Sequence, residues 1–209
     1  MPRRPTLKIA EVFASLQGEG LRQGEPTIFV RLAGCNLRCA WCDTKSAWRG
    51  GGEVPLPDIL VAVRFLRQAF PAAWVCLTGG EPLLQETGPL IRVLRREGFK
   101  VQVETNGTRA CPAGVDWLTV SPKPPRYAVR PALVKKAREV KLVVSRELTL
   151  DDIAAARRRF PASTPVILQP QGTAAWSTKK AWLLLVEAGR RGWPNLRLMV
   201  QLHKVLGIK

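Results

Sequence analysis

Hydrophobic spacing along this chain switches repeatedly between a period of two and a period near 3.6. Residues 6–15 alternate loosely through Leu7-Lys8-Ile9-Ala10-Glu11-Val12-Phe13, which predicts an opening strand. Thr27 to Ala33 is a β-branched and aromatic run that predicts a second strand, stopped by Gly34. Beyond it, helical spacing covers residues 57–70, 89–97, 132–138, 149–160 and 179–191. Strand-like runs cover 74–77, 99–103, 116–120, 140–144, 165–169 and 196–201. Asp151 and Asp152 fall in the first turn of the 149–160 helix, where the helix dipole favours acids. The segment from Lys45 to Pro57 is rich in Gly and Trp and reads as a connection, mobile at Gly50-Gly51-Gly52. Strand-then-helix rhythm predicts an α/β fold with mostly parallel strands and helical crossovers. The units are too few for an eight-fold barrel, so an abbreviated, open partial (β/α) barrel is expected, as one domain over residues 1–209.

Composition narrows the class. With 46% apolar residues the chain has enough to bury a full core. No apolar run approaches the roughly 20 residues of a membrane span. Met1-Pro2-Arg3-Arg4-Pro5-Thr6-Leu7-Lys8 carries charge with no apolar stretch behind it, so no secretory signal is expected. Five cysteines, three of them clustered, suit a reducing compartment, and the cytoplasm is the expected location. The net charge of +17 raises the question of nucleic acid. However, the basic runs Arg95-Arg96, Lys135-Lys136, Arg157-Arg158-Arg159, Lys179-Lys180 and Arg190-Arg191 are scattered, mostly over solvated helix faces. No nucleic-acid motif accompanies them, and no such partner is expected.

The chemistry concentrates in Cys35-Asn36-Leu37-Arg38-Cys39-Ala40-Trp41-Cys42-Asp43-Thr44, on a loop at the end of a strand. A loop can wrap three sulfurs around one object, whereas a strand points alternate side chains to opposite faces. Structural zinc normally takes four closed ligands, and Cys76, Cys111 and the lone His203 are distant in sequence. Three thiolates on a [4Fe–4S] cluster would leave one iron open for chemistry.

The spacing Cys35-x3-Cys39-x2-Cys42 is similar to the cluster motif of the radical S-adenosylmethionine (SAM) enzymes. Thr78-Gly79-Gly80-Glu81-Pro82 resembles that superfamily's methionine-binding turn. Leu16-Gln17-Gly18-Glu19-Gly20, Cys42-Asp43-Thr44, Glu104-Thr105-Asn106-Gly107, Ser121-Pro122-Lys123 and Gln201-Leu202-His203-Lys204 together resemble the 7-carboxy-7-deazaguanine synthase family, in order and over nearly the whole chain. The resemblance implies a radical SAM type of partial barrel, with an N-terminal substrate loop at 6–26, a core at 27–195 and a substrate-covering tail at 196–209. It also implies a lyase that contracts 6-carboxy-5,6,7,8-tetrahydropterin to 7-carboxy-7-deazaguanine with loss of ammonia, in queuosine-type biosynthesis. The implied cofactors are a [4Fe–4S] cluster on Cys35, Cys39 and Cys42, SAM, and Mg²⁺ at Thr44. SAM is expected at Trp41, Cys42, Asp43, Gly80, Glu81, Glu104, Asn106, Ser121, Pro122, Lys123 and Gln169. The pterin is expected at Leu16, Gln17, Gly18, Glu19, Arg31, Thr78, His203 and Lys209. A flavodoxin or ferredoxin as electron donor and a homodimer are implied partners.

Simpler readings stand beside these. Leu16 to Gly20 is also a polar hairpin loop, Asp43 a turn or cap residue, and Asn106-Gly107 or Ser121-Pro122 ordinary turns. Arg31, inside an apolar strand, either clamps a substrate carboxylate or salt-bridges a neighbouring one. Lys141 faces the interior or an exposed edge; Cys76 reads as a core thiol and Cys111 as a loop thiol. Two other functions remain open: a radical SAM activase that installs a glycyl radical in a partner protein, and a basic zinc-binding nucleic-acid protein.

Overall fold

The computed structural model describes residues 5–209, so residues 1–4 of the segment weighed as a secretory signal lie outside the described residues. The chain forms an open, mostly parallel α/β sheet and divides into two compact units.

The first unit comprises residues up to Leu16, Glu25–Thr105 and Cys111–Trp117. Its strands are β1 (Thr6–Leu16), β2 (Pro26–Leu32), β3 (Gly52–Pro55), β4 (Trp74–Gly79) and β5 (Lys100–Thr105), in the order β3-β1-β2-β4-β5. β1 is antiparallel to both β2 and β3, while β2, β4 and β5 run parallel. Helices α1 (Leu56–Ala69) and α2 (Gly88–Arg96) make the crossovers that parallel strands require.

Alternation within these strands gives the sheet two unlike faces. Ile28, Val30, Leu32, Val75, Leu77, Val101 and Val103 are fully buried on one face. The other carries a cross-strand row of Phe13, Phe29, Cys76 and Gln102, and next to it a row of Glu11, Arg31 and Thr78. This second face is mixed: the buried cluster of Phe13, Phe29 and Cys76 lies beside the polar Gln102, Glu11, Arg31 and Thr78.

The second unit comprises Gln17–Gly24, Asn106–Ala110 and Leu118–Lys209. Its strands β6 (Trp117–Val120), β7 (Glu139–Val144), β8 (Val166–Pro170) and β9 (Leu196–Leu198) are parallel and lie in that order. Its helices are α3 (Pro131–Val134), α4 (Leu150–Arg159), α5 (Ala175–Arg190) and α6 (Leu202–Leu206). Thr149 caps α4: its hydroxyl accepts the Asp152 N–H and the Asp152 carboxylate accepts the Thr149 N–H, a capping box. Here too one face is apolar, with Val120, Val140, Leu142, Val144, Val166 and Leu168 buried. By strand alternation the other face receives Thr119, Ser121, Glu139, Lys141 and Gln169.

Three elements depart from the sequence pattern. The glycine-rich connection holds a strand: Gly52 pairs with Ile9, and a Cβ at Gly51 would lie 2.5 Å from the Ile9 carbonyl oxygen. Gly51 thus permits close approach to β1, and the segment is a paired strand rather than a mobile link. The helix expected over 132–138 is a single turn, because the Arg138 N–H is already taken by the Leu118 carbonyl as β7 begins. The last strand ends at Leu198, since the Leu202 N–H goes to the Gly18 carbonyl and α6 begins there. No helix among the described residues is long and apolar enough to cross a membrane.

Leu142 is completely buried on the apolar face of β7. Leu142→Ala should therefore lower unfolding free energy by about 2–5 kcal/mol in urea titration, with an unchanged m-value.

Candidate active site

In the first unit, β2 delivers the chain into the cysteine loop. Gly34 takes a φ of +93°, its N–H donates to the Ala47 carbonyl at 2.8 Å, and its own carbonyl accepts the Glu81 N–H at 2.8 Å. The Gly80 N–H donates to the Leu32 carbonyl at 3.1 Å. The Gly79-Gly80 turn is therefore laid directly on the start of the cysteine loop. A Cβ on Gly79 would overlap the Leu32 carbonyl oxygen, and one on Gly80 the Gly34 carbonyl oxygen. With φ of +126° at Gly79 the backbone itself also favours glycine.

Cys35, Cys39 and Cys42 are free thiols and half-buried. Cys35 and Cys42 each have a backbone N–H aimed at the sulfur, from Leu37 and Thr44, both at 3.4 Å. Burial pushes the Cys35 thiol above its ordinary value. The Leu37 N–H opposes this, while the Glu81 charge and the Cys39 and Cys42 thiols push further upward. The Cys39 and Cys42 sulfurs thus lie within electrostatic reach of Cys35, and a metal would favour deprotonation of all three. No group of three or more His, Cys, Asp or Glu among the described residues is arranged to hold a single metal ion. A cubane asks for less convergence, because each thiolate takes a different iron, and the loop fits that donor set.

Glu81 is fully buried; its carboxylate accepts from the Leu83 N–H at 3.0 Å and the Thr105 hydroxyl at 2.7 Å. Glu104, at the end of β5, lies by the Cys76 thiol at 3.9 Å. Arg31 donates Nε–H to Glu11 at 2.7 Å and Nη1–H to the Thr44 hydroxyl at 3.2 Å, with its guanidinium 5.3 Å from the centre of the Phe13 ring. The salt-bridge alternative for Arg31 is therefore present, and Thr78 lies beside it in the strand register. The Thr44 hydroxyl also donates to Asp43 at 3.0 Å. Trp41 is half-exposed on the same loop.

In the second unit, loop 17–24 follows Leu16, the last residue of β1. Gln17 is buried and its side-chain oxygen accepts the Glu19 N–H at 3.1 Å. The Glu19 carboxylate is paired with the Lys141 ammonium and accepts from the Gln201 amide. His203 packs against Gly18, where any Cβ would collide with the imidazole. Lys209 is exposed at the C-terminal end. The Ser121 hydroxyl donates to the Lys141 carbonyl at 2.9 Å and accepts from Lys123 Nζ at 2.5 Å, beside the buried Pro122. Asn106 accepts from both the backbone N–H and the hydroxyl of Thr108, at 2.9 and 2.7 Å, so the turn reading also holds there. Gln169 is 2% exposed, yet neither its amide oxygen nor its nitrogen has a partner among the described residues. A buried amide left unsatisfied by protein is what a ligand would complete.

Sequence reasoning missed Glu139, which is fully buried and holds Leu21 N–H and the Thr119 hydroxyl, both at 2.7 Å. An acid opening an otherwise apolar strand was the available signal. Lys141 proves to be interior, 5% exposed.

The class follows from these features together with a match of residues 29–168 to the Radical SAM superfamily. A 7-carboxy-7-deazaguanine synthase of Rhodospirillum rubrum is 42% identical over 97% of this chain and 93% of its own length. One of Aquifex aeolicus is 34% identical over 97% and 94%. The crystal structure of QueE from Escherichia coli superposes with a TM-score of 0.78 at 31% identity, over 95% of each chain. The chain belongs to the 7-carboxy-7-deazaguanine synthase family of radical SAM enzymes. Membership implies a [4Fe–4S] cluster and SAM. Neither the activase nor the zinc-protein reading gains support from these relatives.

Gly80→Ala should displace the turn from the cysteine loop. Anaerobically reconstituted variant is expected to take up less iron and bind SAM more weakly than wild type; equal iron content and SAM affinity would contradict the packing argument.

Proposed function

We propose that this chain converts 6-carboxy-5,6,7,8-tetrahydropterin to 7-carboxy-7-deazaguanine, contracting the ring with loss of ammonia. The observation that carries the substrate assignment is Arg31, a guanidinium at the end of the strand leading into the cysteine loop, next to Thr44 and Thr78. Its planar fork suits a substrate carboxylate. The names of the relatives support the same product.

The cluster and SAM, when bound, supply radical hydrogen abstraction. Cys35, Cys39 and Cys42 hold the cluster. Gly80 and Glu81 give the turn its backbone groups, with Trp41, Asp43, Glu104 and Asn106 as further SAM contacts. Ser121 and Lys123, a hydroxyl and an ammonium 2.5 Å apart, suit the amino-acid carboxylate. The orphaned Gln169 amide offers its NH2 group as donor and its oxygen as acceptor to the same ligand. Gln17 and Glu19 orient the heterocycle by its donor edge, while Leu16, Gly18, His203 and Lys209 enclose it. The Thr44 hydroxyl, with the Asp43 oxygen beside it, provides the hard donors Mg²⁺ prefers. A flavodoxin or ferredoxin delivers the electron.

Anaerobically reconstituted protein given SAM, a reductant and the tetrahydropterin should release a product with the mass of 7-carboxy-7-deazaguanine. Cleavage of SAM with no such product from intact pterin would rule this reading out. Leaving out Mg²⁺ should slow the wild type, and Thr44→Ala should be slow and indifferent to Mg²⁺.

A further inference from the structure

Two buried charges on one face of β7 are both directed at a single loop. Glu139 is 0% and Lys141 5% exposed, and their spacing of two puts them on the same side of the strand. Glu139 receives the Leu21 N–H at 2.7 Å, and a Cβ on Gly20 would run into its carboxylate. Lys141 pairs with Oε2 of Glu19, while the Gln201 amide donates to Oε1. Gln201 is itself fixed, its side-chain oxygen accepting the Gly172 N–H at 2.8 Å. Both carboxylate oxygens of Glu19 are thus tied to elements far away in sequence. The Lys141 backbone carbonyl at the same time accepts the Ser121 hydroxyl at 2.9 Å.

Apolar side chains would cover a loop at less cost than buried ions, whose desolvation is repaid only by close pairing. Charge at these positions therefore points to the geometry of Glu19 rather than to stability. An ammonium partner also keeps Glu19 an anion, which accepts hydrogen bonds and donates none.

We propose that Lys141 is a positioning residue that holds the Glu19 carboxylate as a fixed acceptor for the N–H donor edge of the heterocyclic substrate. This rests on the reading that Glu19 binds the pterin. Lys141 does not touch the reacting atoms; it acts through Glu19 and selects a 2-amino heterocycle over its 2-oxo counterpart. Removing the ammonium takes away the ion pair that fixes Oε2 of the part-buried Glu19 carboxylate, so the acceptor is no longer held at the substrate's donor edge.

The test uses reconstituted holoenzyme. Lys141→Met should raise the KM for the tetrahydropterin roughly tenfold or more, with iron content and pterin-free SAM cleavage as in wild type. With pterin present, more 5′-deoxyadenosine should be released per product formed. The variant should also discriminate less between the pterin and its 2,4-dioxo analogue as a competitor. Lys141→Arg, which keeps the charge, should recover most of the lost affinity. Wild-type KM, coupling and discrimination in Lys141→Met would overturn the proposal, as would an equal loss of SAM cleavage and pterin turnover alongside a lowered melting temperature. Should Lys141→Met not fold, Gln201→Leu decides: a raised pterin KM with normal SAM cleavage is expected, and an unchanged KM refutes the role. A wild type that makes no product would sink the pterin assignment itself, an outcome distinct from an active wild type with an indifferent Lys141→Met.

Discussion

Charge withdrawn from water has to be answered within hydrogen-bond reach, and the polar face of each unit is organised by that demand. In the first unit Glu81 is answered by the Thr105 hydroxyl and the Leu83 N–H, and Arg31 by Glu11 and Thr44. In the second, Glu139 is answered by Thr119 and Leu21, and Glu19 by Lys141 and Gln201. In each case one of these bonds ties a strand to a loop: Thr105 to Glu81, Arg31 to Thr44, Glu139 to Leu21 and Lys141 to Glu19. These loops are held by specific polar bonds, while the apolar faces behind them supply the bulk of the burial.

The other organising contact is backbone on backbone. Gly79 and Gly80 lie against Leu32 and Gly34 so closely that no side chain fits, which couples the methionine-type turn to the start of the cysteine loop. Sequence resemblance assigns this turn to SAM. Its packing shows a second use for the same two glycines: fixing where the cysteine loop departs from β2. A substitution there displaces the turn and the start of the cysteine loop together, because their backbones are in direct contact.

At Arg31 and Asn106 the structure shows the simpler of the two readings. Arg31 makes the salt bridge to Glu11 and still stands next to Thr44. Asn106 forms a turn with Thr108 and sits at the end of β5. Gln169 is the contrasting case, buried with its amide unanswered by protein.

The sequence by itself determined the alternation of strands and helices through the core, because hydrophobic period is a local property, and it pointed to cluster chemistry, because three cysteines spaced four and three apart share one loop. It gave no account of β3, where glycine-rich residues pair with β1, nor of the tail, where α6 forms because Gly18 takes the Leu202 N–H. The partners of Lys141 were equally hidden: Glu19 lies 122 residues away and Gln201 closes the same carboxylate from the far end of the chain. Those pairings depend on which strand face points at which loop. That is set by register, and register exists only once the chain has folded.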